Sequence, residues 1–128
     1  PTSMPNFRVS KVIKESRPKE PMKLYRWQRE DHDPMKTDMS VKIPLQSWTK
    51  YGDIAKETVE LINEDHDEDV RQGRTPSNPR MTFLSRTFQP EQIYADFDNL
   101  PDGVKKQMKK LGSESDGLAE VLVWYIRN

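Results

Sequence analysis

Two copies of the tetrapeptide Glu-Asp-His-Asp, at residues 30–33 and 64–67, are the segments of this sequence best suited to chemistry. Each copy joins an imidazole to carboxylates, which are ligands for zinc, manganese or calcium. Adjacent side chains point in different directions, so neither copy can surround an ion alone. The spacing also lacks the alternating acids, central glycine and final glutamate of an EF-hand loop. We interpret each copy as a solvated acidic turn, and the sequence predicts no metal and no other cofactor.

Other catalytic arrangements are also missing from the sequence. The chain contains no cysteine, which excludes a disulfide framework, a thiolate zinc site, a cysteine nucleophile and a cysteine-ligated iron–sulfur cluster. The two histidines lie in acidic segments without a nucleophile motif nearby. The glycines are too scattered to form a phosphate-binding loop. The sequence therefore predicts a protein that is not an enzyme.

Composition indicates a small core. The chain has 128 residues, of which 33% are hydrophobic and 33% charged, whereas globular proteins are usually about 45–50% apolar. This length suits one domain, and the 10 prolines suggest irregular extensions. No apolar run approaches the roughly 20 residues needed to span a bilayer, so we expect a protein that is peripheral to any membrane.

Charge is balanced overall but unevenly distributed. Residues 1–29 carry eight bases and two acids, for a net charge of +6, whereas residues 30–69 carry four bases and twelve acids, for a net charge of −8. Residues 1–21 also hold four prolines among scattered apolar residues, which predicts an extended basic arm that becomes ordered only on a partner. Residues 22–128 would then form a single α+β domain. The first residue is Pro1 rather than Met, which fits removal of a preceding segment.

Three segments predict strands from their apolar and aromatic content. Residues 22–28 place Tyr25 and Trp27 on one face and Leu24 on the other. Residues 39–45 alternate apolar and polar, and would pair with residues 22–28 as a hairpin with a long loop. Residues 118–126 favour a buried strand, although residues 118–120 could also begin a helix. A further short strand is predicted over residues 81–84.

Three segments predict helices. Apolar residues recur at helical spacing over residues 51–62, which predicts one buried stripe of Tyr51, Ile54, Ala55, Thr58, Leu61 and Ile62. This helix should fail at residues 63–69, where acidic and histidine side chains offer nothing to bury. Pro90 suggests a short helix to about residue 98, and residues 101–111 suggest a second helix that ends at Gly112. The predicted core combines the 39–45 strand, the 51–62 stripe and the 118–126 strand.

The segment Lys-Leu-Tyr-Arg-Trp at residues 23–27 resembles the first strand of the iron–sulfur subunit of succinate dehydrogenase and of fumarate reductase. The following features keep that family's order: a charged loop, a strand at residues 39–45, a helix at residues 52–64 and a strand at residues 81–83. The resemblance covers about residues 22–86. It implies a small β-grasp (plant-ferredoxin-like) sheet with one main helix, to which this chain adds helices after residue 90 and the N-terminal arm.

The resemblance breaks where the family binds its cluster. The cysteine-bearing loop of the family follows the last of these strands, but here Ser85-Arg86-Thr87-Phe88 follows, without a ligand. No cluster residue can be carried over, so the resemblance implies a domain that cannot relay electrons. It implies instead a domain that docks inside a mitochondrial respiratory assembly, on the matrix side of the inner membrane.

The sequence thus suggests a non-catalytic accessory subunit of a mitochondrial respiratory-chain assembly, with succinate dehydrogenase (complex II) as the candidate. Its partners would be other protein subunits rather than a small-molecule substrate. The alternative is an RNA-associated protein, such as a peripheral component of the mitochondrial ribosome. The basic arm and the lysines of residues 105–110 support that alternative, whereas the acidic segment opposes it. The candidate protein-interface residues are Phe7, Val9, Val12, Ile13, Tyr25, Arg26 and Trp27.

Overall fold

Five strands and three α-helices make up the part of the chain that the computed structural model describes, which is residues 6–31, 45–110 and 120–124. The α+β class predicted from the sequence is confirmed. The strands are β1 (Met22–Arg29), β2 (Leu45–Thr49), β3 (Met81–Phe88), β4 (Ile93–Asp96) and β5 (Glu120–Trp124). The helices are α1 (Asn6–Ser16), α2 (Gly52–Arg71) and α3 (Asp102–Lys110), and 3-10 turns at Pro90–Gln92 and Phe97–Asn99 flank β4.

The strands form one antiparallel sheet in the order β3-β1-β2-β5-β4, so β3 and β4 lie at opposite edges. In a flat sheet, four strand spacings would separate those edges by about 19 Å. The link from Phe88 to Ile93 reaches at most about 17 Å, and less because it contains a 3-10 turn. The sheet must therefore curl, and both residues join one apolar cluster on its inner side. This arrangement does not confirm a ferredoxin-like fold.

The two faces of the sheet carry separate apolar clusters. On the inner side, the Trp48 and Phe88 rings meet edge to face at 4.9 Å, which fixes β2 against β3 across β1. On the outer side, α1 packs against β4, and α2 packs against β1 and β3. The inner cluster comprises Leu24, Trp48, Phe88, Ile93, Val121 and Val123, and the outer one Ile13, Ala95, Phe97, Leu100, Val104 and Leu122.

The strand predictions are confirmed in part. Strand β1 buries Leu24 completely and turns Tyr25 and Trp27 to the opposite face, as the alternation predicts. Strand β5 forms within the predicted segment and buries Val121. Strand β3 is twice as long as the four residues predicted, because its whole length pairs with β1. Residues 39–44 lie outside the described residues, and the described partners of β1 are β2 and β3.

The prediction of an extended arm is wrong for residues 6–16, which form α1. Val9, Val12, Ile13 and Ser16 recur at the spacing of one helix face, and every proline of the segment falls outside the helix. Ile13 is buried in the outer cluster, so α1 contributes to the core of the domain.

Two helix predictions are also corrected. Helix α2 does not fail at residues 63–69 but continues to Arg71, because Asp67, Glu68 and Asp69 each pair with an arginine. The predicted helix over residues 90–98 is instead β4 between its two 3-10 turns. Its residues pair with β5, a partner distant in sequence that local spacing does not reveal. The predicted helix over residues 101–111 is confirmed as α3.

Candidate protein-binding surface

Helix α2 lies close to the sheet at its N-terminal end because Gly52 carries no side chain. A Cβ atom at this position would stand 2.8–2.9 Å from the ring of Tyr25. That ring in turn stacks on Phe83 with centroids 5.8 Å apart. Farther along the helix, Ala55 and Val59 are buried. These contacts fix which side of α2 faces the sheet.

The predicted apolar stripe of α2 therefore divides into two sides. Ala55 is fully buried and Ile62 half-buried, but Tyr51, Ile54 and Leu61 are 48%, 54% and 63% exposed. The prediction that the whole stripe is core is thus wrong, since a single sheet face cannot cover so wide a stripe. The remaining apolar line consists of Tyr51, Ile54, Thr58 and Leu61, which we name the α2 seam.

The spacing of the α2 seam is that of a helix-packing interface. Its members are three, four and three residues apart, which is the a/d pattern of a coiled coil. In that frame Glu57 and Glu64 occupy the g positions beside the seam. The e positions hold Ala55 and Ile62, which face the sheet. Within helix α2 the charges at these positions are therefore negative, and Lys50, at the g position before Tyr51, is paired with Asp96 and Asp98.

Carboxylates surround the α2 seam, and five of them, between residues 53 and 65, have no partner among the described residues. None forms an ion pair or hydrogen bond with any part of the chain that the structure describes. The helix as a whole carries eight acids against two bases, for a net charge of −6. The unengaged, exposed carboxylates are Asp53, Glu57, Glu60, Glu64 and Asp65.

The last turns of α2 differ, because their carboxylates are held by neighbours. A hydrogen bond from Arg80 lowers the pKa of Asp67 below its ordinary value, and Asp67 raises the pKa of Arg80. Hydrogen bonds from Gln72 and then Arg71 lower the pKa of Glu68 in the same way. These acids stay ionised and satisfied without a partner molecule.

Of the four interface candidates in α1, the structure describes three side chains, and Phe7 lies outside them. Val9 and Val12 are half-buried against the outer cluster, and Ile13 is 4% exposed within it. Ile13 is therefore committed to the fold of this chain and cannot contact a partner.

The three interface candidates in β1 have separate roles. Tyr25 packs between Phe83 and the start of α2. The Arg26 guanidinium donates to the Ser47 carbonyl oxygen at 2.7 Å, and burial lowers the pKa of Arg26. Only Trp27, at 39% exposure, has substantial accessible surface. Strands β2 and β5 separate this group from α1, which contacts β4, so the predicted candidates do not form one surface.

A buried polar network ties α1 to the turn after β4. No feature of the sequence predicts this network. The Lys50 ammonium lies 2.8 Å from the Asp96 carboxylate and 3.0 Å from that of Asp98. The Asp96 amide donates to the Ser16 hydroxyl at 3.2 Å. Burial would lower the pKa of Lys50, but the bonds and charges of the two carboxylates outweigh it and raise that pKa. Every member is satisfied within the chain, so the network stabilises the fold.

The two acidic tetrapeptides differ where they are described: Glu30 and Asp31 form an exposed turn, as predicted, whereas residues 64–67 do not. Residues 64–67 lie in helix α2 rather than in a turn, and His66 Nδ1 is 2.7 Å from the Asn78 carbonyl oxygen. Residues 32 and 33 of the other copy lie outside the described residues. Within the described ranges, no group of three histidine or acidic side chains could hold a metal ion.

No helix in the described part of the chain is long and apolar enough to cross a membrane. Comparison with protein-family models, curated proteins and solved structures found no match to this chain. The α2 seam is therefore the candidate site that the geometry itself supports. The sequence contained its spacing, but nothing local showed that it would stay exposed.

Proposed function

We propose that this protein is a non-catalytic protein-binding subunit that holds a basic amphipathic helix of another chain on the α2 seam. The exposed line of Tyr51, Ile54 and Leu61 beside unengaged carboxylates carries this proposal. Large apolar side chains gain free energy when a partner removes them from water. A helix with apolar residues at heptad spacing would cover the seam, and lysine or arginine beside them would meet Glu57 and Glu64.

The charge of α2 favours a protein partner over RNA. A helix with a net charge of −6 repels phosphate, whereas nucleic-acid binding depends on lysine and arginine that release counterions. The RNA-associated alternative stays a prediction. It requires that binding depend on the basic residues of α1 and α3 rather than on α2.

A second part of the proposal names the assembly to which this subunit would belong. Membership in a mitochondrial respiratory-chain complex, with complex II as the candidate, and a ferredoxin-like ancestry both rest on the resemblance of residues 22–86. The α2 seam supports a docking role in such an assembly without selecting it. Native co-purification from a mitochondrial extract, with identification of the partners, tests this part.

The docking role is tested with a defined probe. We would use a synthetic helix of about 21 residues, long enough to be helical, with leucine at the a and d positions and lysine at e and g. Fluorescence anisotropy should show that this probe binds the full chain. A probe with glutamate at e and g should bind at least about tenfold more weakly.

Matched variants complete the test. Leu61→Asp should weaken binding of the lysine probe by at least about tenfold, since it replaces the most exposed apolar side chain of the seam with a negative charge. Val70→Asp is the control, because Val70 lies on the same helix, is 57% exposed and is outside the seam. Equal affinity for both probes, or equal loss in both variants, would contradict the proposal.

A further inference from the structure

The outer edge of β3 presents main-chain groups in a fixed pattern. The Glu30 amide donates to the Arg80 carbonyl oxygen at 2.9 Å, which continues the β1–β3 register by one pair. In an antiparallel pair, residues bonded to the neighbour alternate with residues whose N–H and C=O point away. Even-numbered residues of β3 therefore bond to β1, and the odd-numbered ones point outward.

Side-chain amides close both ends of this outer edge. At one end, the Asn63 side chain accepts from the Met81 amide at 2.8 Å and donates to its carbonyl oxygen at 3.0 Å. At the other end, the Gln89 amide donates to the Gln92 side chain at 2.7 Å, and the Gln92 amide donates to the Gln89 carbonyl oxygen at 2.9 Å. The two caps also confirm the direction of the outward groups.

Between the caps, the outward main chain of β3 is unpaired with respect to the described residues. Phe83, Ser85 and Thr87 have no partner for these groups in the part of the chain that the structure describes. The strand also lacks the devices that usually protect an edge: its register is regular over eight residues, it contains no proline, and Arg86 is its only charge. Strand β4 at the other edge has four residues, an irregular register and 3-10 turns on both sides.

We propose that β3 is a second binding site, which takes up an extended polypeptide segment of another protein by strand addition. The segment pairs its main chain with Phe83, Ser85 and Thr87, each of which offers one donor and one acceptor. It spans about five residues, because the caps at Met81 and Gln89 stop the pairing. This site is separate from the α2 seam and does not depend on the function proposed for that surface.

The caps select a short separate segment over a second copy of this chain. An identical β3, paired antiparallel so that the open residues match, would bring its residue 89 beside Met81 and its residue 81 beside Gln89. The amides of Asn63 and Gln92 already occupy those places. A regular eight-residue strand would therefore meet both caps.

The side chains of β3 define the chemistry of the segment. On one face its residues would lie beside half-buried Leu84, and on the other beside half-buried Phe83. Threonine, valine or isoleucine at alternate positions suits both neighbours. Proline is excluded wherever the segment must donate to β3.

Hydrogen exchange measured by NMR on the full chain tests the proposal first. In the free protein, the amides of Phe83, Ser85 and Thr87 should exchange at least about tenfold faster than those of Thr82 and Leu84, which bond to β1. Slow exchange at the outward amides of the free protein would overturn the proposal, since the edge would then be covered. Protection that grows with protein concentration alone would overturn the assigned occupant in favour of a second copy.

The probe is the peptide Ac-Thr-Val-Thr-Val-Thr-NH2, whose five residues match the length between the caps. At saturation it should slow exchange of the three outward amides at least about tenfold and leave the even-numbered amides unchanged. The same peptide methylated at every backbone nitrogen keeps its side chains but cannot donate, so its binding should fall at least about tenfold. Equal binding of the two peptides would overturn strand addition.

Variants separate this site from the α2 seam. Ser85→Pro removes one outward donor and leaves the bonds to β1, so it should weaken peptide binding at least about fivefold in a folded chain. Thr87→Ala keeps the main chain and serves as control if circular dichroism shows both variants folded. Leu61→Asp should leave peptide binding unchanged. Peptide binding lost in Leu61→Asp but kept in Ser85→Pro would overturn the assignment.

Discussion

The two halves of helix α2 have similar compositions and different surroundings. In the first half, Asp53, Glu57 and Glu60 are exposed and unengaged in the described chain, and Ile54 and Leu61 project beside them. In the second half, the acids Asp67, Glu68 and Asp69 each meet an arginine, and Asn63 and His66 bond to β3 and to the loop before it.

The difference between the halves indicates two roles: the second half of α2 stabilises the fold, and the first half is available to bind a partner. The second half is attached to its own chain through side-chain bonds, which explains why a highly acidic segment stays helical. Among the described residues, the first half is attached through Ala55, Val59 and the close approach at Gly52, and its apolar seam stays exposed. Exposing these apolar residues does not stabilise the folded chain, and a chain with so little apolar content would be more stable if it buried them. The predictions below test this division.

The largest expected effect contrasts two neighbouring apolar residues of the first half. Val59→Ala should lower the free energy of unfolding by about 1.5–3 kcal/mol, since it removes buried methyl groups and leaves a cavity. Leu61→Ala should change it by less than about 0.5 kcal/mol, because Leu61 is exposed. Urea unfolding followed by circular dichroism measures both. A comparable loss of unfolding free energy in Leu61→Ala would show that the seam stabilises the chain itself. The distinction between stabilising and binding residues of α2 would then be wrong.

A smaller effect is expected at Asn63, which joins the second half to the sheet. Asn63→Ala should lower the free energy of unfolding by about 1–2 kcal/mol, because the Met81 amide and carbonyl lose their partners. Glu60→Ala, one turn earlier and exposed, is the matched control and should have little effect. The Asn63 variant also lengthens the open edge of β3, so sedimentation should show concentration-dependent association. Unchanged stability would mean that the cap is not needed to hold α2 on β3.

The smallest expected effect is a pH dependence confined to the second half. The pKa values of Asp67 and Glu68 are lower in the folded chain than their ordinary values near 4. Their stabilisation is therefore fully present above that range and is lost as the pH falls through the lower, folded values. Arg80→Met removes the partner of Asp67. The difference in free energy of unfolding between the wild type and this variant, measured by urea unfolding, should become smaller from pH 7 to pH 3. A difference that stays constant would contradict the assigned ion pair.

Local patterns predicted several elements correctly. Alternation around Tyr25 and Trp27 predicted the two faces of β1, and helical spacing predicted α3 and the start of α2. The errors occurred where a distant partner decides the structure. Pro90 and the apolar residues after it suggest a helix, but pairing with β5 makes residues 93–96 a strand. The prolines near the N-terminus suggested an extended arm, but the outer cluster provides burial for one face of α1.

The candidate sites, too, were predictable only where they depend on local sequence and not on distant contacts. The spacing of Tyr51, Ile54 and Leu61 is visible in the sequence, yet a broad apolar stripe does not show which side will be covered. The interface residues predicted around β1 and α1 were chosen from local composition, and the structure uses Ile13 and Tyr25 for its own packing. The open edge of β3 has no sequence signal, because it depends on the order of strands.

The sequence by itself determined the periodicities and the charges: a period of two in β1, a helical period in α2 and a dense run of acids in that helix. These properties depend on residues within a few positions of one another. Only the tertiary structure decided which acids meet an arginine, which side of α2 faces the sheet and which strand lies at an edge. These outcomes depend on contacts between distant segments, such as Asp67 with Arg80 and Asn63 with Met81, which form only when the sheet assembles.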